Sequence, residues 1–322
     1  MLSLLAAGAA APLASASSVL AHGGGDSDEL PSFGPLSVVT ASRVELVPLL
    51  TGLVLGGLYL YGVARLRGRG DAWPVGRTVS FVGLGLGTFA IATMSGLGTY
   101  DDDLFAVHMV QHMTLAMVTP VFLALGAPVT LALRTLPRGP RGALLSLLHS
   151  RFARLMTFPL IGWVLFVGTP FALYFSGWYG ATLEHDWLHQ LMHAHFVLVG
   201  CLFFWPMLGI DPVPGKVGYP MRMLVVAATL PFHAFLGIAI MSVGDNGNGL
   251  LAASHYLRLH SLAEAVSQQQ IGGGLLWASG DLVGLLFVFT MLFQWMRASE
   301  REAAREDRRL DRLEALGTTT GA

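Results

Sequence analysis

Charged side chains are scarce in this sequence, and so is cysteine. Only 12% of the 322 residues are charged, whereas 53% are hydrophobic. A soluble protein carries about twice that charged fraction, so the composition argues against an ordinary cytosolic enzyme and excludes a disordered chain. Cys201 is the single cysteine, which excludes an intrachain disulfide framework and a cysteine-rich zinc or iron–sulfur module. The net charge of −1 provides no general attraction to nucleic acid.

Long apolar runs take the place of the missing charge. A membrane-spanning helix needs roughly 20 mostly apolar residues, and these runs are too long and too uniformly apolar for the strands of a membrane β-barrel. The sequence therefore predicts an all-α, polytopic membrane helix bundle with seven transmembrane helices. The predicted spans cover about residues 45–64, 78–97, 104–133, 155–176, 185–208, 220–243 and 271–296.

The basic residues fall almost entirely on one side of this arrangement. All of the 19 Lys and Arg residues except Arg43 and Arg258 follow the first, third or fifth span or lie in the C-terminal tail. The opposite loops collect acidic residues. Because basic loops stay in the cytoplasm, the sequence predicts a cytoplasmic C-terminus.

The chain divides into four predicted regions. Residues 1–21 are rich in Ala, Ser and Leu and end in small residues, which resembles a cleaved signal peptide. A basic start is missing, so an uncleaved eighth span is the alternative. We expect an extracytoplasmic segment over 22–44, the transmembrane domain over 45–297, and a charged helical tail in the cytoplasm over 298–322.

Histidines are numerous for a chain so poor in other polar side chains, and there are 11 of them. In the third and fifth predicted spans they recur every four residues, so they share a helix face. The helical rise of about 1.5 Å per residue places them in the outer half of the membrane. Ionisable groups at such depth usually face an interior cavity or pathway. The predicted polar layer comprises His108, His112, His185, His189, His193, His195, His233 and Asp281.

Such a layer favours a metal site. Histidine is the commonest metal ligand, and two histidines four residues apart present both rings to one ion. Cu(I) prefers soft ligands such as thioethers, and Met109 and Met113 lie beside the histidines of the third span. Copper, as Cu(I), is therefore the favoured metal and zinc the alternative. For any single histidine an interhelical hydrogen bond is the simpler interpretation, and packing is the simpler role for the methionines.

Other cofactors and the remaining histidines can also be considered. Retinal needs a lysine within a span, and Lys216 lies in a predicted cytoplasmic turn, so a retinal protein is excluded. Haem would use opposed histidines from two helices, which the histidine pairs permit. His22, His255 and His260 lie outside the membrane, either as a relay for incoming metal or as surface histidines without such a role.

Four segments in combination resemble the CtaG family of caa3-type cytochrome c oxidase assembly factors, and the resemblance covers roughly residues 45–312. The segments are HMVQHMTLAMVTPVFLALGAPVTLALR, LEHDWLHQLMHAHFVLVGCLFFWPMLGIDP, YPMRMLVVAATLPFHAFLGIAIMS and IGGGLLWASGD with its tail QWMRASEREAAREDRRLDR. The resemblance implies a multi-pass protein needed to assemble a copper-containing oxidase. The matching polar positions are His108, His112, His185, His189, His193, His195, His233 and Asp281.

The leading hypothesis is a non-enzymatic assembly factor in the bacterial inner membrane that binds copper near the outer face and delivers it to cytochrome c oxidase. Asp281 would orient a histidine or supply a carboxylate. Expected partners are oxidase subunits, a periplasmic copper chaperone and the lipid bilayer, without nucleic acid. The alternatives are an intramembrane zinc-dependent hydrolase, a haem-binding electron carrier and a proton-relaying transporter.

Overall fold

Helices dominate the chain because backbone polar groups in lipid must be satisfied within the segment that carries them. A computed structural model of the protein describes residues 33–34, 36–214 and 217–319. All regular elements among these residues are helices. This confirms the predicted all-α polytopic bundle. The predicted signal peptide and Lys216 lie outside the described residues.

Six helices in the described part of the chain are long and apolar enough to cross a membrane. Two further helices, bent by 72° at the break between them, together make a seventh candidate span. In chain order the helices are α1 (Leu46–Arg67), α2 (Val75–Thr99), α3 (Phe105–Thr135), the bent pair α4 (Pro159–Tyr174) and α5 (Trp178–Glu184), α6 (Asp186–Leu208), α7 (Tyr219–Met241) and α8 (Leu262–Thr319). Short helices lie at Ser37–Thr40, Arg138–Leu148, Arg151–Met156 and Ala253–Leu259.

Helix α3 is irregular along its length. A regular segment, Phe105–Met113, is followed by a π-helical turn at Thr114–Val118. Farther on, the helical conformation is interrupted at Ala127, whose φ of 51° lies in the left-handed region. A π-helical turn often marks a functional site, and this one follows directly on the segment that carries His108 and His112.

One buried carboxylate, Asp211, ties the far ends of α3 and α6 together. Its Oδ1 accepts hydrogen bonds from Thr130 N at 2.8 Å and Thr130 Oγ1 at 2.6 Å. Its Oδ2 accepts from Val129 N at 3.0 Å and Trp205 Nε1 at 3.3 Å. The N–H groups at a helix start have no partner within the helix and attract negative charge. Asp211 therefore caps the last segment of α3 against the end of α6.

The middles of α3 and α6 approach closely because α6 carries Gly200 at their crossing. A Cβ atom there would lie 2.2 Å from Ala116 O and 2.6 Å from Pro120 Cγ of α3. Helices α7 and α8 meet in the same way at Gly237, where a Cβ would lie 2.7 Å from Gly273 O. Small residues at a crossing let helix backbones pack against each other in lipid. The α3–α6 crossing sets how the outer halves of these helices face each other.

Gly200→Ala is expected to destabilise the protein by about 1–3 kcal/mol, because the added methyl overpacks the crossing. The change should appear as a lower midpoint of thermal unfolding in detergent. Gly57→Ala on α1 is the matched control, since a Cβ there meets nothing within 4 Å. Equal midpoints for the Gly200→Ala variant and the wild type would contradict the close approach.

Candidate metal centre

Helices α3 and α6 bring four buried histidines together, which we call the histidine tetrad: His108 and His112 of α3 and His189 and His193 of α6. Their exposed fractions are 0%, 3%, 6% and 5%. The ring centroids are 3.8 Å apart between His108 and His112 and 4.5 Å apart between His189 and His193. Across the helices they are 5.7 Å apart for His108–His189 and 5.9 Å for His112–His193. The tetrad is thus a single cluster of imidazoles.

Most of the ring nitrogens in the histidine tetrad are unsatisfied. Five of the eight have no hydrogen-bond partner: both nitrogens of His108, Nε2 of His112, Nε2 of His189 and Nδ1 of His193. Buried polar atoms are nearly always hydrogen-bonded, and one left without a partner needs an explanation. Ring nitrogens that lie close together and have no hydrogen bond are free to bind a metal ion through their lone pairs.

The three remaining nitrogens of the tetrad are held by neighbouring side chains. His112 Nδ1 is hydrogen-bonded to Tyr174 OH at 2.8 Å. Gln111 Nε2 donates to a backbone carbonyl, so Gln111 Oε1 faces His193 Nε2 at 3.0 Å as an acceptor. His193 then carries its proton on Nε2, which leaves the lone pair on Nδ1. Partners of this kind fix the tautomer and orientation of metal-binding histidines.

Asp101, in the turn between α2 and α3, adds a carboxylate that the sequence analysis did not single out. Its exposed fraction is 5%, and its Oδ2 lies 3.3 Å from His189 Nε2 and 3.9 Å from His193 Nε2. Burial raises the pKa of Asp101, and the nearby ring of His189 opposes that shift. The neighbouring Asp102 places its Oδ1 2.9 Å from His189 Nδ1. The one signal in the sequence is a run of three aspartates just before α3.

Two overlapping sets of ligand atoms are therefore close enough to hold a metal ion. The first set is His108, His112 and His189, and the second is Asp101, His189 and His193. Within each set the ligand atoms lie within 4.8 Å of one another. Three imidazoles suit Cu(I) or Zn²⁺, and an added carboxylate suits zinc better than Cu(I). His189 belongs to both sets.

The other two histidines predicted on α6 lie away from the histidine tetrad. His185 is exposed at the start of the helix, with Nδ1 3.2 Å from Ala181 O. His195 is exposed on another face, and its Nε2 is hydrogen-bonded to Thr169 Oγ1 at 3.2 Å. Side chains four residues apart are rotated slightly from one another round the helix, so His185 does not reach the tetrad. His195 lies two residues beyond His193 and therefore points to another face.

His233 of α7 lies beside a cavity that begins at the histidine tetrad. The cavity has an empty volume of about 470 Å³ and is lined by His112, Met113, Met117 and His233 among mostly apolar side chains. His233 is buried, and its Nδ1 has no hydrogen-bond partner. Met109, by contrast, is fully buried in the hydrophobic core. The cavity thus joins His233 and Met113, but not Met109, to the inner side of His112.

Asp281 of α8 is placed near His233 rather than near the tetrad. Its Oδ2 accepts a hydrogen bond from Trp277 Nε1 at 2.7 Å, while Oδ1 is buried without a partner. The preceding residue, Gly280, packs against the ring of His233, whose Cγ would lie 2.7 Å from an added Cβ. The carboxylate is therefore on the part of α8 that packs against His233.

His255 and His260 bind the turn of residues 101–103, which we call the aspartate turn. His255 Nε2 donates to Asp102 O at 2.8 Å, and His260 Nε2 donates to Asp103 O at 2.8 Å. Both histidines thus bind backbone carbonyls of the turn that carries Asp101. His22 lies outside the described residues.

Comparisons with known proteins point to one family. A family model described as a cytochrome c oxidase caa3 assembly factor matches residues 57–298. An uncharacterised protein of Mycobacterium bovis is 38% identical over 281 residues, which cover 85% of this chain and 42% of that protein. An uncharacterised protein of Mycobacterium leprae is 39% identical over 270 residues, which cover 81% and 40%. The chain thus spans about two fifths of the length of these relatives. No solved structure matches it.

His108→Leu is expected to stabilise the metal-free protein by about 1–3 kcal/mol, because leucine removes two unsatisfied nitrogens from a buried position. The measurement is the midpoint of thermal unfolding in detergent with a chelator present. His195→Leu, at an exposed position, serves as the control and should shift stability by less than about 0.5 kcal/mol. A lower midpoint for the His108→Leu variant would show that the ring is satisfied in the metal-free protein.

Proposed function

Because the chain belongs to the family of cytochrome c oxidase caa3 assembly factors, we propose that it assists oxidase assembly by binding copper within the membrane and delivering it to the enzyme. The observation that carries this proposal is the histidine tetrad, with five unpartnered ring nitrogens in one buried cluster. Leaving such groups unsatisfied is costly in a low-dielectric interior. A metal ion that binds these nitrogens would offset the free-energy cost of burying them, which explains why the cluster is present.

We call the first set of ligands, His108, His112 and His189, the inner set, and its composition supports Cu(I) over a divalent ion. His108, His112 and His189 are three imidazoles without a carboxylate among them. A monovalent ion on neutral ligands leaves only one positive charge to be buried. The thioethers of Met113 and Met117 line the cavity next to His112, and soft sulfur ligands select Cu(I).

Delivery requires a way out of the site as well as a way in. The apolar cavity runs from His112 to His233, so an ion released from the tetrad would next meet a histidine and two methionines. These ligands are of the same soft or borderline kind as those it leaves, which would keep the energetic cost of transfer small. We therefore place His233 and Met113 on the delivery side. Oxidase subunits would receive the ion there, and a periplasmic copper chaperone would supply it at the outer face.

A zinc-dependent hydrolase is the second candidate, favoured by the carboxylate of Asp101 beside His189 and His193. A metal-bound water next to a carboxylate could act as a nucleophile. Elemental analysis of protein purified without added metal separates the two: copper supports the proposal, and zinc with hydrolytic turnover supports the rival. A Soret band in the same sample would instead indicate haem.

Replacing two ligands of the inner set, as His108→Ala with His112→Ala, is expected to remove most of the copper from protein loaded anaerobically with Cu(I). The matched control combines His185→Ala with His195→Ala, since both histidines are exposed and lie outside the tetrad. Copper per chain is measured by elemental analysis after desalting. Unchanged copper in the His108/His112 variant would reject the site.

We also propose that the C-terminus is cytoplasmic. Helix α8 continues through the charged tail as far as Thr319, and basic residues near a span stay in the cytoplasm. A green fluorescent protein fused to the C-terminus should fluoresce, and an alkaline phosphatase fused at the same place should be inactive. The reverse pair of results would invert the topology and with it the direction of copper transfer.

A further inference from the structure

A polar cleft lies above the histidine tetrad, at the end of the bundle that holds the aspartate turn. It has an empty volume of about 410 Å³. We call it the acidic cleft, and the side chains that matter to its chemistry are Glu45, Asp101, Asp102, Asp186, His189 and His193. The cleft is polar, whereas the cavity on the other side of the tetrad is apolar. The tetrad therefore has the polar cleft on its His189 and His193 side and the apolar cavity on its His112 side.

The charges around the acidic cleft favour a cation. Four carboxylates line it, from Glu45, Asp101, Asp102 and Asp186, against the single guanidinium of Arg43. A cleft lined mainly by one sign of charge, with low-dielectric walls, concentrates ions of the opposite sign and speeds their association. This property distinguishes the outer end of the site from the neutral inner set of three histidines.

Asp101 lies where the acidic cleft meets the histidine tetrad. It is buried, yet its Oδ2 lies within 3.9 Å of both His189 and His193. The nearby His189 Nε2 is buried without a hydrogen-bond partner. A buried carboxylate is costly unless a cation compensates it. Asp101, His189 and His193 each offer one ligand atom within 4.8 Å of the others, and all three residues line the cleft.

His189 connects this outer set to the inner one. Its Nδ1 is engaged by Asp102 at 2.9 Å, so Nε2 is the nitrogen left to bind an ion. The same histidine belongs to the inner set with His108 and His112. One lone pair cannot bind two ions, so the two sets would hold a single ion in turn.

We infer that Asp101, His189 and His193 form a loading site, where a cation from the outer face is first bound and then passed to His108 and His112 by exchange of ligands around His189. This inference rests on the proposed function. The transfer makes and breaks only coordination bonds, so the ion keeps its charge throughout. Asp101 would assist capture from solution without contributing to the final resting site, whose three ligands are imidazoles.

The test is the rate at which copper enters the purified protein in detergent. Cu(I) is supplied as its cationic acetonitrile complex under anaerobic conditions, and the reaction is quenched at set times with an excess of a chromophoric chelator. Asp101→Asn should slow loading by about tenfold or more. Asp103→Asn is the matched control, because Asp103 faces His260 and does not line the cleft.

Ionic strength provides a measurement that does not depend on one variant. Loading of the wild type should slow as salt is raised, since salt screens attraction by exposed charges. Asp186→Asn, in the exposed first residue of α6 that also lines the cleft, should slow loading in part and weaken the salt dependence. Wild-type rates and salt dependence in the Asp101→Asn and Asp186→Asn variants would overturn the loading site.

These outcomes are distinguishable from a failure of the proposed function. If the wild type takes up no copper, or if the variant with His108→Ala and His112→Ala retains it, the copper proposal is wrong and the loading site falls with it. If copper binds through those two histidines but the aspartate variants load like the wild type, only the loading site is wrong.

Discussion

The close crossing of α3 and α6 determines where the four histidines of the tetrad lie. Gly200 lets the two backbones come close enough that no side chain larger than hydrogen fits between them, and Asp211 fixes their far ends through four hydrogen bonds. The outer ends of the same helices carry two histidines of the tetrad each. Without a close crossing, those four rings would be separate polar groups on the surfaces of two helices rather than one cluster.

Burying the histidine tetrad costs folding free energy in a protein that has few other polar groups to satisfy it. A membrane bundle gains little from burying imidazoles, and it usually satisfies each of them with a hydrogen bond. Here neighbouring side chains satisfy three nitrogens and leave five without partners. The three supporting contacts orient the rings without consuming the free lone pairs. This division between orienting contacts and free ligand atoms is the arrangement that a metal site requires.

Much of the fold could be predicted from the sequence, because hydropathy and the distribution of arginines report directly on membrane spans. The pairing of His108 with His112 and of His189 with His193 followed from four-residue spacing. Spacing alone could not exclude His185 or His195, because the direction in which a ring points depends on which face of α6 packs against α3. Nor could it show that His233 lines a cavity shared with His112, or that Asp281 follows a glycine packed against His233. Asp101 was missed because a turn between two spans is predicted from sequence to be exposed to solvent, whereas in the structure it is buried.

X-ray absorption spectroscopy at the copper edge of the Cu(I)-loaded protein tests most directly whether copper rests on the inner histidines. We predict a shell of nitrogen ligands with the multiple-scattering pattern of imidazole, which is lost when His108 and His112 are replaced together. A shell made of sulfur or carboxylate oxygen, or an imidazole pattern that survives that replacement, would contradict the claim that copper rests on the inner histidines of the tetrad.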